Sequence, residues 1–453
     1  MRRVTAEVAA DGVGTVAMDL LREWVLKPAD VLSQRTARME PASRWNVDWA
    51  RRLACDFRPR EPALVQARGS REQGARVGMT RVGEERITLA LLDDPAEIHD
   101  GHPVAQVADD GEIVRKRTVE AGVTFVRDAG ITDAGVRDAV ANGLIPGPAL
   151  QVCVVALGAT GGHGDGFLAG PGYECPVDYS LPDYPGRPPY LVDGPEEIRK
   201  AVRTVLRSGA DWIKLLATGG VLSAGDGEFE PELTDEEIAV AIAEAARRRK
   251  PVMVHALGGT AIASAVTAGA RSIEHGVFLT ESDAALMAAR GCALVPTLAI
   301  YNRLAEQARA GTLTGLRASR ALEVGQHLGE SVAIARAAGV TIALGSDFGH
   351  RSDHGSNLEE IALLHNAGLT LEEALLAATR TGAELCGVGH RLGRLSPGYE
   401  FDAVLLDSDP SDLQTYTSGT SVASVFKRGV AVVRQPRLEL SRRCCGTGWA
   451  GRV

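Results

Sequence analysis

The chain has 453 residues, 45% of them hydrophobic, enough for one large domain with an appendage or for two to three smaller ones. Its formal net charge of −9 argues against nucleic acid or an anionic membrane surface as a partner. Seven scattered cysteines without a CxxC pair suit a reducing cytoplasm and exclude a disulfide framework or a cysteine zinc site. With no run of 18 apolar residues and no charged-then-apolar leader, neither a transmembrane span nor a secretory signal is expected.

Residues 1–85 are arginine-rich and aperiodic apart from a helix-like stretch near 16–26. A weak first strand is placed at 86–92 (RITLALL). From about residue 112 strand-like and helix-like segments alternate. Strands are expected at 123–128, 150–157, 212–217, 251–256, 272–278, 293–299 and 341–347. These runs are short, rich in Val, Ile and Leu, and mostly lack polar alternation, as parallel strands covered on both faces do. Helical periods fall between them. In 196–210, Ile198, Val202, Val205 and Leu206 share one face. Segments 234–249 and 370–386 open on the capping boxes Thr234/Glu237 and Thr370/Glu373, and 280–290 runs from Thr280 to a stop at Gly291. Residues 158–195, rich in Gly, Pro and Tyr, form a long loop of the kind that is functional or disordered. Beyond Leu392, the stretches "GRLSPGYEFDAVLLDSDP" and "VASVFKRGVAVV" read as a small β appendage, the latter as two strands around Lys427-Arg428-Gly429. Repeated βα units imply a parallel sheet, either doubly wound or an eight-stranded barrel, and seven strands in one run favour the barrel.

The unusual polar residues fall on successive strands. Lys214 interrupts the apolar run of "DWIKLLATGG"; His255 ends "PVMVHA", His275 lies in "SIEHG", and Asp347 ends "ALGSD". A lysine is almost never fully buried without a partner, so Lys214 snorkels to water, changes its charge or is modified. In a barrel the C-terminal strand ends ring one mouth, where active sites form. Two imidazoles and a carboxylate gathered there suit a divalent metal, zinc by ligand type, with manganese or cobalt also compatible. A lysine carbamylated by CO2 could join them, because it presents a carboxylate.

These stretches, with "AGVTFVRDAG", "TGGHGDG", "VPTLAIYNRL", "LGSDFG" and "HGSNLEEIALL", resemble the metal-dependent amidohydrolase superfamily over roughly 115–410. The similarity is strongest to its prolidase-like branch of Xaa-Pro dipeptidase and imidazolonepropionase relatives. The resemblance implies an α/β fold, a (β/α)8 TIM-like barrel with a small β-sandwich built from both termini. The divisions are then an N-terminal region 1–95 (sandwich partner or aberrant), a barrel 96–392 and a sandwich part 393–453. It implies Lys214 as a carbamylated bridging ligand and His255 and His275 on one metal. Asp347 would hold the other metal and shuttle the proton. His163 and Tyr301 would approach the substrate, Tyr301 at a carboxylate. His350 and His354 lie in the loop after the last strand, where His354 is placed as a substrate contact. The implied activity is hydrolysis of an amide, a dipeptide or N-acyl amino acid, by metal-bound hydroxide. The implied partner is a small molecule, and a homo-oligomer is compatible.

One departure stands out. The family opens its barrel with HxH, and none of the ten histidines here forms that motif. The nearest substitutes are His99 and His102 in "EIHDGHPV", an HxxH that only a loop or turn could aim at one point, since strand residues i and i+3 face opposite ways. One metal, or a degenerate binuclear site, is therefore expected. The rival readings are a cyclic-amide hydrolase and a catalytically impaired barrel kept as a binding protein. A doubly wound nucleotide binder would need a tight Gly loop after its first strand, and none is seen. His327, His365 and His390 receive no role.

Overall fold

A computed structural model describes residues 115–130, 132–165, 187–223, 230–349, 353–417, 419 and 421–434. These residues belong to the unit Thr88–Val453. The helix expected near 16–26, the strand at 86–92, and His99, His102 and His350 lie outside the described residues.

Strands β1 (Phe125–Arg127) and β2 (Ala149–Gln151) pair in parallel across helix α1 (Ala134–Ala141). A five-stranded parallel sheet follows, its strands adjacent in chain order: β3 (Ala156–Leu157), β4 (Ile213–Leu216), β5 (Val252–Ala256), β6 (Ser272–His275) and β7 (Ala293–Val295). Helices α2 (Pro195–Arg207), α3 (Asp235–Arg247), α4 (Thr260–Ala268) and α5 (Glu281–Arg290) connect these strands. This is the crossover that parallel neighbours require. The Thr234/Glu237 box caps α3, and α5 runs from the Thr280/Asp283 box to a left-handed Gly291, where the sequence puts both ends.

After β7 come α6 (Leu298–Arg309), α7 (Gly315–Gln326) and α8 (Glu330–Ala337), then α9 (Glu359–Asn366) and α10 (Leu371–Leu376). The last passes through a π-helical turn, Ala377–Thr381, into α11 (Gly382–Leu385). A separate antiparallel sheet of β8 (Ala403–Leu406), β9 (Val422–Lys427) and β10 (Val430–Arg434) holds α12 (Gln414–Thr417) between its first two strands. Its β9–β10 hairpin turns on Arg428 and Gly429, both at positive φ (50° and 80°), as a two-residue primed turn demands.

Three expected strands differ. The run 150–157 divides because Val154 sits at φ 67° and Val155 N–H closes a tight turn on Cys153 O. Strand 293–299 stops early: Pro296 has no N–H to give a ladder, and α6 begins at Leu298. The stretch 341–347 contributes one bridge, Ile342 to Leu294, rather than a named strand.

The parallel register sorts side chains onto two faces. Ile213, Leu215, Val252, Val254, Ile273 and Leu294 pack with helix residues such as Ile198, Val202, Ile238 and Ile262. On the other face Trp212, Met253, Ala293 and Val295 cluster with Cys153, Ala343 and Leu385. Lys214, His255, Ser272 and Glu274 share the second face by alternation and register. A buried ion pair organises it. Arg127 Nη2 donates to Glu274 Oε2 at 2.7 Å and Nη1 to Ser272 Oγ at 2.9 Å, while its guanidinium lies 4.6 Å from the Trp212 ring centroid. Ser272 Oγ donates to Glu274 Oε1. The Arg127 and Glu274 side chains are only 9% and 6% exposed, so removing one partner strands the other charge. Glu274→Ala is expected to destabilise the protein by roughly 3–5 kcal/mol. An unchanged urea unfolding midpoint would contradict this.

Candidate metal centre

The strand register assembles the site. Lys214 on β4 lies beside Met253 of β5; His255, two residues further along β5, lies between Leu216 and Glu274; His275 pairs with Ala256. Strict alternation sends His275 to the face opposite its neighbour Glu274. The backbone prevents this. His275 adopts φ 74°, a left-handed conformation uncommon outside glycine, which turns the strand end. Its ring centroid thereby comes within 4.5 Å of the His255 ring, edge to face. His163, from the loop after β3, stacks on the His255 ring at 4.3 Å. Tyr301 on α6 meets the His275 ring at 5.4 Å.

Burial fixes the protonation states. Lys214, His255 and His275 are 5%, 4% and 3% exposed. Burial, then the charges of its neighbours, holds the His255 imidazole well below its usual range; burial, then Lys214, does the same for His275. Both rings are neutral, the form that binds metal. Burial and Lys214 also lower His163, to about 4. The Lys214 ammonium is pushed down chiefly by burial, against the pull of Glu274 and Asp347. Burial raises the Asp347 carboxyl to about 6, opposed by Lys214 and reinforced by Glu274 and Asp128. The Tyr301 phenol, raised well above 10 by burial and Asp347, stays protonated.

Two ring nitrogens are already committed. His275 Nδ1 lies 2.7 Å from Thr297 Oγ1, and His255 Nε2 lies 3.2 Å from Gly219 O. Thr297 is itself left-handed, at φ 51°, as is Asp347. Positive φ thus recurs at His275, Thr297 and Asp347, around one cluster of rings and carboxylate. Thr297 cannot cap α6, because its side chain is turned to His275. Glu360 of α9 does so instead: its two oxygens accept the N–H groups of Leu298 and Ala299 at 2.8 and 2.7 Å.

Lys214, His255, His275, His163 and Tyr301 are thus gathered, with Asp347 acting electrostatically on Lys214 and Tyr301. His354 has Nδ1 2.9 Å from Thr118 Oγ1 and its ring edge-on to Phe348, the residue after Asp347. Among the described residues no three His, Cys, Asp or Glu side chains are arranged to hold a metal ion by themselves. The neutral imidazoles fit a divalent ion as donors, but the set needs Lys214 as an oxygen ligand or a further group to be complete. The sequence reading missed Thr297, Glu274 and Glu360. The signal for Glu274 was the one that exposed Lys214: a lone charge within an apolar strand.

The residues 87–432 match the model of the amidohydrolase family. The chain belongs to this family. It is 33% identical over 319 residues to ochratoxinase of Aspergillus niger, a match covering 69% of this chain and 65% of that one. The chain therefore spans just under two thirds of the length of that relative. It is also similar to a prolidase solved in complex with N-methylphosphonate-L-proline (33% identity, 74% of this chain and 81% of that one, TM-score 0.67). A Xaa-Pro dipeptidase solved with methionine in its active site is a further neighbour (28% identity, 75% and 81%, TM-score 0.64). These likenesses place the chain in the prolidase-like branch and imply a TIM-like barrel, into which its parallel βα units fit. The superfamily is generally metal-dependent.

Two outcomes follow from the orienting groups. Thr297→Val removes the oxygen at His275 Nδ1 and is expected to weaken metal binding by about 10–100-fold in a chelator competition titration; equal affinity would show that Thr297 does not orient the ring. Burial raises Glu360 to about 8 from an ordinary 4.5. Its folded state holds the proton more tightly, so that contribution to stability is full below 4.5 and is lost as pH rises towards 8. Wild-type stability relative to Glu360→Gln should decline across that window, measured by denaturant unfolding; a flat difference would overturn the assignment.

Proposed function

We propose that this protein hydrolyses the amide bond of a dipeptide or N-acyl amino acid with the help of a divalent metal, zinc by ligand type. The observation that carries this is the convergence of Lys214, His255 and His275 from three neighbouring parallel strands, all buried, with both imidazoles neutral. The similarity to a prolidase and to a Xaa-Pro dipeptidase supports it, since both names denote dipeptide cleavage. On this reading the barrel closes with eight strands.

Lys214, as a carbamate, with His255 and His275 would hold the metal, and Asp347 would complete the set. When bound, such an ion polarises a carbonyl and lowers the pKa of water. The remaining steps fall to side chains. Asp347, with its carboxyl near 6, can accept a proton at an Oδ atom and return it to a leaving amine. Tyr301 stays a neutral phenol and therefore offers a hydrogen-bond donor to a substrate carboxylate or carbonyl oxygen. His163, His255 and His275 present a neutral wall, so an anionic substrate meets no fixed imidazolium there.

The test is hydrolysis of Xaa-Pro dipeptides and N-acyl amino acids after incubation with zinc or manganese and bicarbonate, with bound metal counted by mass spectrometry. One to two metals per chain are expected, with activity abolished by chelation and in Lys214→Ala. Cleavage of ring amides alone would replace the dipeptide assignment with a cyclic-amide hydrolase. Metal-free protein that cleaves no amide would leave a binding protein.

A further inference from the structure

The loop after β4 carries a residue whose role the metal centre does not explain. Ser223 Oγ lies 2.8 Å from Nδ1 of His163 and also accepts the N–H of Gly220 at 2.8 Å. The backbone of Ser223 is held in turn: its carbonyl accepts from Arg320 Nη1 at 3.0 Å, and Arg320 is only 1% exposed. His163 is fixed from its other side as well. Its backbone N–H is shared by the two oxygens of Glu232, each at 2.8 Å. Gly220 lies directly against the ring. A Cβ added there would meet His163 Cε1 at 2.5 Å and Nδ1 at 2.8 Å, so only glycine allows the ring to sit where it stacks on His255.

The hydrogen inventory assigns the proton. A serine hydroxyl has one proton to donate and two lone pairs. One lone pair of Ser223 Oγ is taken by Gly220 N–H. Among the described residues, the only acceptor that meets its proton is His163 Nδ1. An imidazole protonated at Nδ1 would point two protons at one another or leave the hydroxyl without an acceptor. We propose that Ser223 is a positioning residue: it donates to Nδ1 of His163 and so keeps the imidazole proton on Nε2, while Gly220 gives the ring room to stack on His255. No described residue hydrogen-bonds Nε2, so this N–H remains available. On the amide-hydrolysis reading, on which this role rests, Nε2–H serves as a donor to the scissile carbonyl oxygen and cannot act as a base.

The tautomer is directly readable by long-range 15N–1H correlation spectra of the full chain, labelled at histidine and supplied with zinc. The His163 signals are identified by their loss in His163→Asn. The expected wild-type pattern has Nδ1 unprotonated and Nε2 protonated. It should be kept in Ser223→Thr and lost or mixed in Ser223→Ala. Turnover of a cleaved dipeptide should fall about tenfold in Ser223→Ala through kcat, with KM little changed, and recover in Ser223→Thr. A wild-type proton on Nδ1, or a tautomer indifferent to Ser223→Ala, overturns the role. If no amide is cleaved, the spectra still decide the tautomer, and only the hydrolytic reading fails.

Discussion

The burial of four ionisable side chains on three adjacent parallel strands is the constraint around which this protein is built. Lys214, His255, Glu274 and His275 are each at most 5% exposed. Parallel strands covered on both faces normally carry apolar residues only. Each polar group here therefore needs an answer, and the fold supplies several different ones. Glu274 is neutralised by Arg127 and bonded to Ser272. The histidines give up their charge and share hydrogen bonds with Thr297 and Gly219. Lys214 alone is left facing carboxylates without a hydrogen bond to any described residue.

The backbone bends to meet the same demand. Two consecutive residues of a strand cannot both face inward by alternation, yet Glu274 and His275 do. The left-handed turn at His275 reconciles them. The Thr297 turn then brings a hydroxyl to the freed ring and surrenders the cap of α6, which Glu360 restores from α9. Local strain of this sort, of order 1–3 kcal/mol per residue, persists only where the surroundings over-determine it. Here a buried hydrogen bond stands behind His275, and a buried carboxyl group behind α6.

The βα alternation from α2 to β7 could be read because both faces of each strand are apolar and the caps are local in sequence. Lys214, His255 and His275 stood out jointly, because they fall on successive strands, although each alone has an ordinary structural explanation. The partners could not be read. Arg127 and Glu274 lie 147 residues apart, and Glu360 reaches 62 residues back to Leu298. Thr297 sat inside what looked like one strand, 293–299, because periodicity cannot see that Pro296 breaks the ladder. The missing HxH falls in the opposite class: its absence is plain, but its substitutes His99 and His102 lie outside the described residues.

Charge balance ties these parts together. The ionic groups that act on Lys214 are Glu274, Asp347 and Arg127. With Lys214 as an ammonium, these groups are two cations and two anions. A carbamate on Lys214 would turn that cation into an anion and leave the set two negative charges in excess. A low-dielectric interior does not tolerate such an excess. One divalent cation would restore neutrality. On the proposed amide-hydrolase reading, lysine modification and metal binding would therefore be one event, each costly without the other. The buried Arg127–Glu274 pair keeps Glu274 out of that exchange: its carboxylate is already spent on the guanidinium, so the incoming charge is left to Lys214 and Asp347.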